Sequence, residues 1–81
     1  MELWIRSQNR ALLIKSPELR YNQKGDAHSI LAYDTLGAYR ILGTYKTRER
    51  ALEILDEIQK LLKTAELNND INTIFYQMPE K

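Results

Sequence analysis

The amino-acid sequence predicts a small α+β fold, in which an antiparallel β-sheet of order β-β-β-β-α-β packs one face against a single amphipathic helix. Three observations lead to this class. Short segments near both ends alternate between apolar and polar residues, one longer segment repeats its apolar residues at spacings of three and four, and turn-forming residues separate them. The 81 residues are expected to form a single domain over residues 1–81.

Two short strands are expected at the start of the chain. The first covers residues 2–6, where polarity alternates at every position. One of its faces carries Leu3 and Ile5, and the other carries Trp4 and Arg6. The second covers residues 11–15 and ends at Ser16-Pro17, because proline cannot donate to a β-ladder. Residues 18–22 fit a continuation of this strand after a kink.

A hairpin is expected in the middle of the chain, with arms over residues 28–33 and 38–45. Asp34 and Gly37 stand at the first and last positions of the connecting turn, which is the type I preference. Strict alternation in the second arm puts Tyr39, Ile41, Gly43 and Tyr45 on one face and Arg40, Leu42 and Thr44 on the other. Gly43 inside this strand indicates a bulge or the close approach of another backbone.

The helix is expected to begin after Thr47, whose side chain suits an N-cap, with Glu49 in its first turn. Its apolar stripe consists of Ala51, Ile54, Leu55, Ile58, Leu61, Leu62 and Ala65. Short polar side chains at 68–70 end the helix. A last strand over 71–78 alternates again and stops at Pro79.

Composition excludes most enzymatic chemistry. The chain has no cysteine and three glycines, so no zinc-ligand spacing or phosphate-binding glycine loop can be written. The one histidine, His28, is the only histidine that could act as base to a nucleophile, and its position near the start of a strand favours a surface residue next to a turn over a catalytic one. We therefore expect no enzyme, catalytic residue, metal ion or cofactor. The net charge of +1 divides into +4 over residues 1–50 and −3 over residues 51–81, which disfavours general binding of duplex DNA. No apolar run suits a membrane span and no leader segment is visible, so the host cell cytoplasm is the expected location and no membrane partner is expected.

Two groups of residues are candidates for ligand binding. The first is the start of the helix, where backbone N–H groups favour an anion and three cationic side chains cluster. The second is a set of aromatic and arginine residues that alternation could bring to the sheet face opposite the helix, where rings stack on bases and guanidinium groups match phosphates. The candidates for contacts to phosphate or base are Arg6, Arg10, Arg40, Lys46, Arg48, Arg50, Trp4, Tyr39 and Tyr45.

Each group also has a plain alternative. At the helix start, the cations are solvated or Arg50 pairs with Glu53, as charge runs on helices usually form exposed faces. In the second group, which also includes Tyr33, the aromatic residues fill the core or a dimer interface, and this is the favoured reading for Trp4. Self-association is expected on independent grounds, since a chain this short buries only about 60% of its unfolded surface and has no disulfide to help.

Four segments resemble a family of short proteins encoded by phages, prophages and related mobile elements of Gram-positive bacteria. They are MELWIRSQ at 1–8, ILGTYKT at 41–47, ERALEILDEIQ at 49–59 and YQMP at 76–79. They cover 30 of the 81 residues and include both ends of the chain, and nothing in residues 16–38 adds to the resemblance. No enzymatic activity or catalytic residue comes with it. It implies a setting in which small non-enzymatic proteins often act against host immunity.

Within that setting we expect a binding protein, and two mechanisms compete. The preferred one is a sponge, an oligomer that sequesters a nucleotide immune signal as anti-CBASS or anti-Thoeris proteins do, with phosphates on arginine or lysine and bases on aromatic rings. The alternative is a protein-binding inhibitor of a host defence protein, such as an anti-CRISPR, that uses a Trp/Tyr surface. A third possibility, a phage accessory protein contacting nucleic acid, is weakened by the modest charge.

Overall fold

The computed structural model describes residues 2–15, 18–68 and 73–81. Their elements are β1 (Glu2–Arg6), β2 (Leu13–Lys15), β3 (Glu18–Lys24), β4 (Ala27–Tyr33), β5 (Tyr39–Tyr45), α1 (Arg48–Leu67) and β6 (Thr73–Gln77). The α+β class is confirmed, as is the order of strands, one helix and a final strand. The segment expected to continue the second strand is the separate strand β3, and residues 16–17 lie outside the described residues.

The strands form two three-stranded sheets rather than one. Sheet 1 has the order β2-β1-β6, in which β1 pairs antiparallel with β2 and parallel with β6. Sheet 2 is the antiparallel meander β3-β4-β5. Because β2 and β6 flank β1 on both sides, no strand of the meander pairs with β1.

The core lies between the inner faces of the two sheets and the helix. Its buried members are Leu3, Ile5, Ile30, Ala32, Leu42, Tyr45, Ala51, Ile54, Ile58 and Met78. The alternation predicted for β1 is confirmed, because Leu3 and Ile5 are buried whereas Arg6 is exposed and Trp4 is half-buried. Both sheets therefore share one core.

A bulge in β5 changes the faces that strict alternation predicts. Ile30 pairs with Gly43 but the next residue, Leu31, pairs with Ile41, so Leu42 is an extra residue in β5. Leu42 turns into the core, and Ile41, which was expected on the same face as Tyr45, is instead 55% exposed. The bulge expected near Gly43 is confirmed.

The close neighbour of Gly43 is a side chain, not a backbone. A Cβ atom added at this glycine would lie 2.7 Å from the hydroxyl oxygen of Tyr45 and 3.0 Å from its ring. The absence of a side chain at position 43 therefore lets the Tyr45 ring fold back over its own strand and reach the core.

The hairpin turn and the helix start follow the sequence closely. Gly37 donates to the backbone oxygen of Asp34 at 3.2 Å and has a φ of 87°, which glycine adopts without strain. The Asp34 carboxylate also accepts the N–H groups of Leu36 and Ala38 at 2.9 and 3.0 Å. At the helix start, the Thr47 hydroxyl accepts the N–H of Arg50 at 3.1 Å, which confirms the N-cap.

Helix α1 buries one stripe of its surface, with Ala51, Ile54, Ile58 and Ala65 inside. It ends at Leu67, and the N–H of Asn68 donates to the Ala65 carbonyl at 3.1 Å. The rest of the predicted terminator (69–70) and the first residues of the predicted last strand (71–72) lie outside the described residues. Throughout the described ranges, no helix combines the length and apolar character needed to cross a bilayer.

Candidate functional site

The structure does not bring the predicted ligand-binding residues into one site. Two of them, Trp4 and Arg6, are on the outward face of β1, and Arg10 is in the β1–β2 turn. Tyr39 and Arg40 are at the start of β5, and Tyr45, at the end of that strand, is in the core. At the start of α1 lie Lys46, Arg48 and Arg50. Three surfaces consequently compete for the role: a groove beside the β4–β5 hairpin, the helix start, and the outward face of sheet 1.

The groove has a volume of about 680 Å³. It lies where the end of β2 and the beginning of β3 approach the tip of the β4–β5 hairpin. Its lining residues are Ile14, Lys15, Glu18, Ala32, Tyr33, Asp34, Thr35, Ala38, Tyr39 and Arg40. A volume of this size falls within the range of about 300–1,000 Å³ typical of small-molecule sites.

Two tyrosine rings form the aromatic part of the groove. Tyr33 and Tyr39 stand opposite each other on β4 and β5, with ring centroids 5.6 Å apart and planes tilted by 37°. The guanidinium of Arg20 lies 4.5 Å from the Tyr33 centroid, so one face of that ring is already covered. Tyr39 is 58% exposed and is the ring that offers a free surface.

The charges that line the groove differ in how far they are already neutralised. Lys15 Nζ lies 3.0 Å from a carboxylate oxygen of Glu2, and the Glu18 carboxylate lies 2.7 Å from the guanidinium of Arg20. The Asp34 carboxylate holds the two turn N–H groups described above. Across the described residues, the Arg40 side chain has neither a hydrogen bond nor an ion pair. Arg40 is therefore the cation in the groove that remains free to bind a ligand.

The helix start uses much of its charge within the protein. Arg50 donates from Nε to the Lys81 carbonyl at 2.9 Å and pairs with the Glu53 carboxylate. The prediction that Arg50 pairs with Glu53 is therefore confirmed. The guanidinium of Arg48 lies 5.9 Å from the Tyr21 ring centroid, within cation–π range. Lys46 is exposed.

The outward face of sheet 1 carries an aromatic surface, which we call the aromatic face. Its residues are Trp4, Arg6, Leu13, Lys15, Phe75 and Gln77. Trp4 stands in register between Lys15 on β2 and Phe75 on β6, and Phe75 is 71% exposed. A shallow hollow of about 260 Å³ lies beside these rings. Exposed aromatic and leucine side chains in one patch are typical of contact surfaces.

Glu2 connects the aromatic face to the groove. Its carboxylate binds Lys15 and accepts a hydrogen bond from the Trp4 indole N–H at 3.2 Å. The hydrogen bond from Lys15, and after it the one from Trp4, lowers the pKa of Glu2. These bonds fix the orientation of the Trp4 ring on the outward face.

Two of the predicted ligand-binding residues, Tyr45 and Arg10, have structural roles instead. Tyr45 is buried, and its hydroxyl donates to the Pro79 carbonyl at 2.8 Å. Burial raises the pKa of Tyr45 to about 12, and the nearby Arg50 opposes that shift. Arg10 has a φ of 66°, and its carbonyl accepts from the Arg6 guanidinium at 3.5 Å. Tyr45 consequently faces the core and Arg10 shapes a turn.

His28 sits beside a tyrosine rather than an acid. Its Nδ1 lies 2.7 Å from the Tyr21 hydroxyl, and the two rings stack with centroids 6.1 Å apart. In the part of the chain that the structure describes, no group of three or more histidine, aspartate and glutamate side chains could hold a metal ion.

Sequence reasoning missed two contributors to these surfaces. Lys15 was read only as the end of a strand, although it lines the groove and flanks Trp4. Phe75 lies in the predicted last strand, but its pairing with Trp4 depends on the parallel register of β1 and β6. Alternation in the last strand was the available signal for Phe75, and nothing local signalled Lys15.

Neither a protein-family model nor a curated protein nor a solved structure matches this chain. The resemblance to phage-encoded proteins therefore stays a prediction. The contacts described above are what supports the proposals that follow.

Proposed function

We propose that this chain is a non-catalytic binding protein whose groove takes a nucleotide, and that it acts as an oligomeric sponge for a nucleotide signal of host antiviral defence. The observation that carries the proposal is the presence of one free aromatic ring, Tyr39, and one free guanidinium, Arg40, in the same groove. A nucleotide is a flat aromatic ring joined to phosphate, and these two side chains match its two parts.

In this arrangement the base stacks on Tyr39 and the phosphate is held by Arg40. The two residues are neighbours at the start of β5 and their side chains leave opposite faces of the strand, so the ligand reaches across the end of that strand. A guanidinium can give two parallel N–H bonds to phosphate oxygens, which fixes the direction of the ligand as well as binding it. Lys15 lines the same groove and adds a second cation near the phosphate. Because Lys15 is already paired with the Glu2 carboxylate, Arg40 supplies the larger part of the attraction for the phosphate.

The charge of the groove limits the kind of nucleotide. Its lining contains two cations, Lys15 and Arg40, and two acids, Glu18 and Asp34. A long polyphosphate or a nucleic-acid strand would place many negative charges next to those acids, which opposes its binding. The groove therefore favours a ligand with few phosphates, such as a mononucleotide or a small cyclic dinucleotide.

A retention assay tests the proposal. The purified protein is incubated with a panel of mono- and dinucleotides, freed of unbound ligand and denatured by heat, and the released molecules are identified by mass spectrometry. We expect at least one nucleotide to be released intact. The absence of retention across the whole panel would overturn the proposal.

Matched arginine variants then locate the site. Arg40→Ala is expected to weaken binding of the retained nucleotide by about tenfold to a hundredfold, the effect of losing a charged hydrogen bond of about 1.5–3 kcal/mol. Arg48→Ala removes an exposed arginine from the helix start and is expected to leave the affinity unchanged. Calorimetric titration of both variants decides between the two surfaces, and a loss in Arg48→Ala alone would contradict the groove.

The aromatic face supports a second candidate function, inhibition of a host defence protein by direct binding. Phe75 and Leu13 are exposed on either side of Trp4, and aromatic residues grouped in this way often carry most of the energy of an interface. A pull-down that yields one stoichiometric host protein, lost in Phe75→Ser and retained in Arg40→Ala, would support this function over the sponge.

A further inference from the structure

The four outer strands of the two sheets differ in how they are protected from pairing with another chain. β2 has three residues and includes Lys15, and β3 carries the charges of Glu18, Arg20 and Lys24. Short length and charged side chains are the usual ways in which proteins block a sheet edge. β6, with the sequence TIFYQ, has five residues and no charge.

The edge of β5 is protected by Gln8. The backbone N–H of Gln8 donates to the Leu42 carbonyl at 2.7 Å. Its side-chain amide donates to the Thr44 carbonyl at 3.1 Å and accepts from the Thr44 N–H at 3.0 Å. Gln8 therefore occupies the edge of β5 at Leu42 and Thr44, so another strand cannot pair along the whole of that edge. Among the described outer strands, β6 has neither a charge nor a cover of this kind.

The backbone of β6 presents alternate residues to that open edge. The N–H of Met78 donates to the Arg6 carbonyl at 3.0 Å, which continues the parallel ladder with β1. Because the direction of the backbone groups alternates along a strand, Ile74 and Tyr76 face β1, and Thr73, Phe75 and Gln77 face outward. In the described residues no hydrogen bond reaches the outward backbone groups of these three.

We propose that β6 pairs antiparallel with β6 of a second copy of this chain, about a twofold axis at Phe75. Phe75 then lies opposite its own copy, and Thr73 lies opposite the partner's Gln77. Each of these residues donates and accepts one backbone bond, which gives about six bonds between the chains. The two copies of sheet 1 become one continuous sheet of order β2-β1-β6-β6-β1-β2.

The strand is suited to its own copy. A twofold pairing opposes Thr73 with Gln77 and Phe75 with Phe75, so no like charges meet. Within one copy, Lys15, Trp4 and Phe75 already form a row across sheet 1. The pairing extends this row through Phe75, Trp4 and Lys15 of the second copy, and adjacent aromatic rings across strands stabilise a sheet.

The pairing also covers exposed apolar surface in a chain that has few other means of gaining stability. Phe75 is the most exposed aromatic side chain of the described residues, and a second ring beside it removes part of that surface from water. The dimer rests on the proposed function in one respect only: it supplies an interface for the oligomer that the sponge requires. It is tested without a nucleotide, so failure of the dimer and failure of the groove are separate results.

Single cysteines test the register directly, because the chain has none of its own. Opposed residues of this type have Cα atoms about 5.5 Å apart, within the range of about 4.4–6.8 Å that a disulfide spans. We expect Phe75→Cys to form a covalent dimer on mild oxidation. Thr73→Cys alone should remain uncrosslinked, whereas a mixture of Thr73→Cys and Gln77→Cys should crosslink. Leu36→Cys, on the exposed hairpin tip, controls for random collision.

A second experiment measures association in solution. Sedimentation equilibrium of the native chain is expected to give a dimer, and Phe75→Pro is expected to give a monomer with unchanged circular dichroism. Proline at this position removes an N–H that points outward, so the ladder with β1 is kept. Phe75→Lys and Phe75→Glu should each be monomeric because like charges meet at the axis, and their mixture should dimerise again.

Three results would overturn the proposal. One is a native chain that stays monomeric from micromolar to millimolar concentration, which would leave the β6 edge open to a foreign extended peptide. Another is a dimer that persists in Phe75→Pro. The third is crosslinking of Phe75→Cys no faster than that of Leu36→Cys.

Discussion

The two sheets of this protein are assembled in different ways. Sheet 2 is made from one continuous segment, residues 18–45, in which each strand pairs with the next along the chain. Sheet 1 combines residues 2–15 with β6 at Thr73–Gln77, and β6 follows the whole of sheet 2 and the helix in the sequence. Closing a short loop costs less entropy than closing a long one, so the register of sheet 2 is specified locally and that of sheet 1 is not.

The surfaces of the two sheets differ in parallel with their assembly. Sheet 2 has charged or bridged edges, and its β4–β5 hairpin supplies most of the groove. Sheet 1 has an exposed aromatic face and an uncharged edge. The sheet built from one continuous segment supplies most of the candidate ligand site, whereas the sheet that is closed by β6 carries the surface proposed to bind other chains.

The largest expected effect separates the two sheets by their folding kinetics. Ile5 in sheet 1 and Ile30 in sheet 2 are both fully buried, so replacing either with alanine should lower the free energy of unfolding by about 2–5 kcal/mol. We expect Ile30→Ala mainly to slow folding and Ile5→Ala mainly to speed unfolding. Stopped-flow kinetics in urea measure both rates. Equal slowing of folding by the two variants would remove the distinction between the sheets.

The next effect concerns the bulged strand of sheet 2. Gly43→Ala places a methyl group 2.7 Å from the Tyr45 hydroxyl oxygen, and overpacking of this kind costs about 1–3 kcal/mol. Tyr45→Phe removes the nearest atom, so Gly43→Ala should cost less in that background. Urea unfolding of the two single variants and the double variant measures the coupling. Identical costs in both backgrounds would mean that the Tyr45 hydroxyl is not the obstacle.

The link between the sheets is expected to have a smaller effect. Gln8→Ala removes the side-chain bonds to Thr44 and also the one that Gln8 donates to the Glu80 carbonyl at 2.7 Å. We expect a loss of about 1–2 kcal/mol and faster hydrogen exchange at the Thr44 amide. Gln23→Ala is the matched control, since the hydrogen bonds of its side-chain amide stay within two residues along the chain: it donates to the Gly25 carbonyl at 3.1 Å and accepts from the Tyr21 hydroxyl at 3.5 Å. Unchanged exchange at Thr44 would show that the Gln8 side chain does not protect this edge of β5.

The smallest effect is a loss of stability at high pH. Burial raises the pKa of Tyr45 to about 12, and burial together with the charge of Glu57 does the same for Tyr76. The unfolded chain releases these protons near pH 10 and the folded chain only near pH 12. The stabilising contribution of the two protonated tyrosines is therefore complete below pH 10 and is lost between pH 10 and 12. The free energy of unfolding, measured with urea across this pH interval, should fall less steeply with pH in Tyr45→Phe. An equal slope in the variant would contradict the role of Tyr45.

Several local features could be predicted because neighbouring residues decide them. Thr47 caps the helix and Asp34 organises the hairpin turn through bonds that span only a few residues. The alternation of Leu3 and Ile5 identified the buried face of β1. The sequence predicted only part of the groove lining, because Tyr39 and Arg40 were among the candidate ligand-binding residues and Lys15 was not. Lys15 reaches the groove only because β2 packs beside a hairpin far along the chain, and no local pattern encodes that contact.

Periodicity and capping chemistry act over three or four residues, so the order of strands and helix and most of the buried stripe of α1 were readable from the chain, although Leu61 of the predicted stripe is exposed. The division into two sheets, the parallel pairing of β6 with β1 and the commitment of Arg50 to Lys81 were not. They depend on contacts between distant residues, whose entropic cost of closure is met only when the whole core packs together.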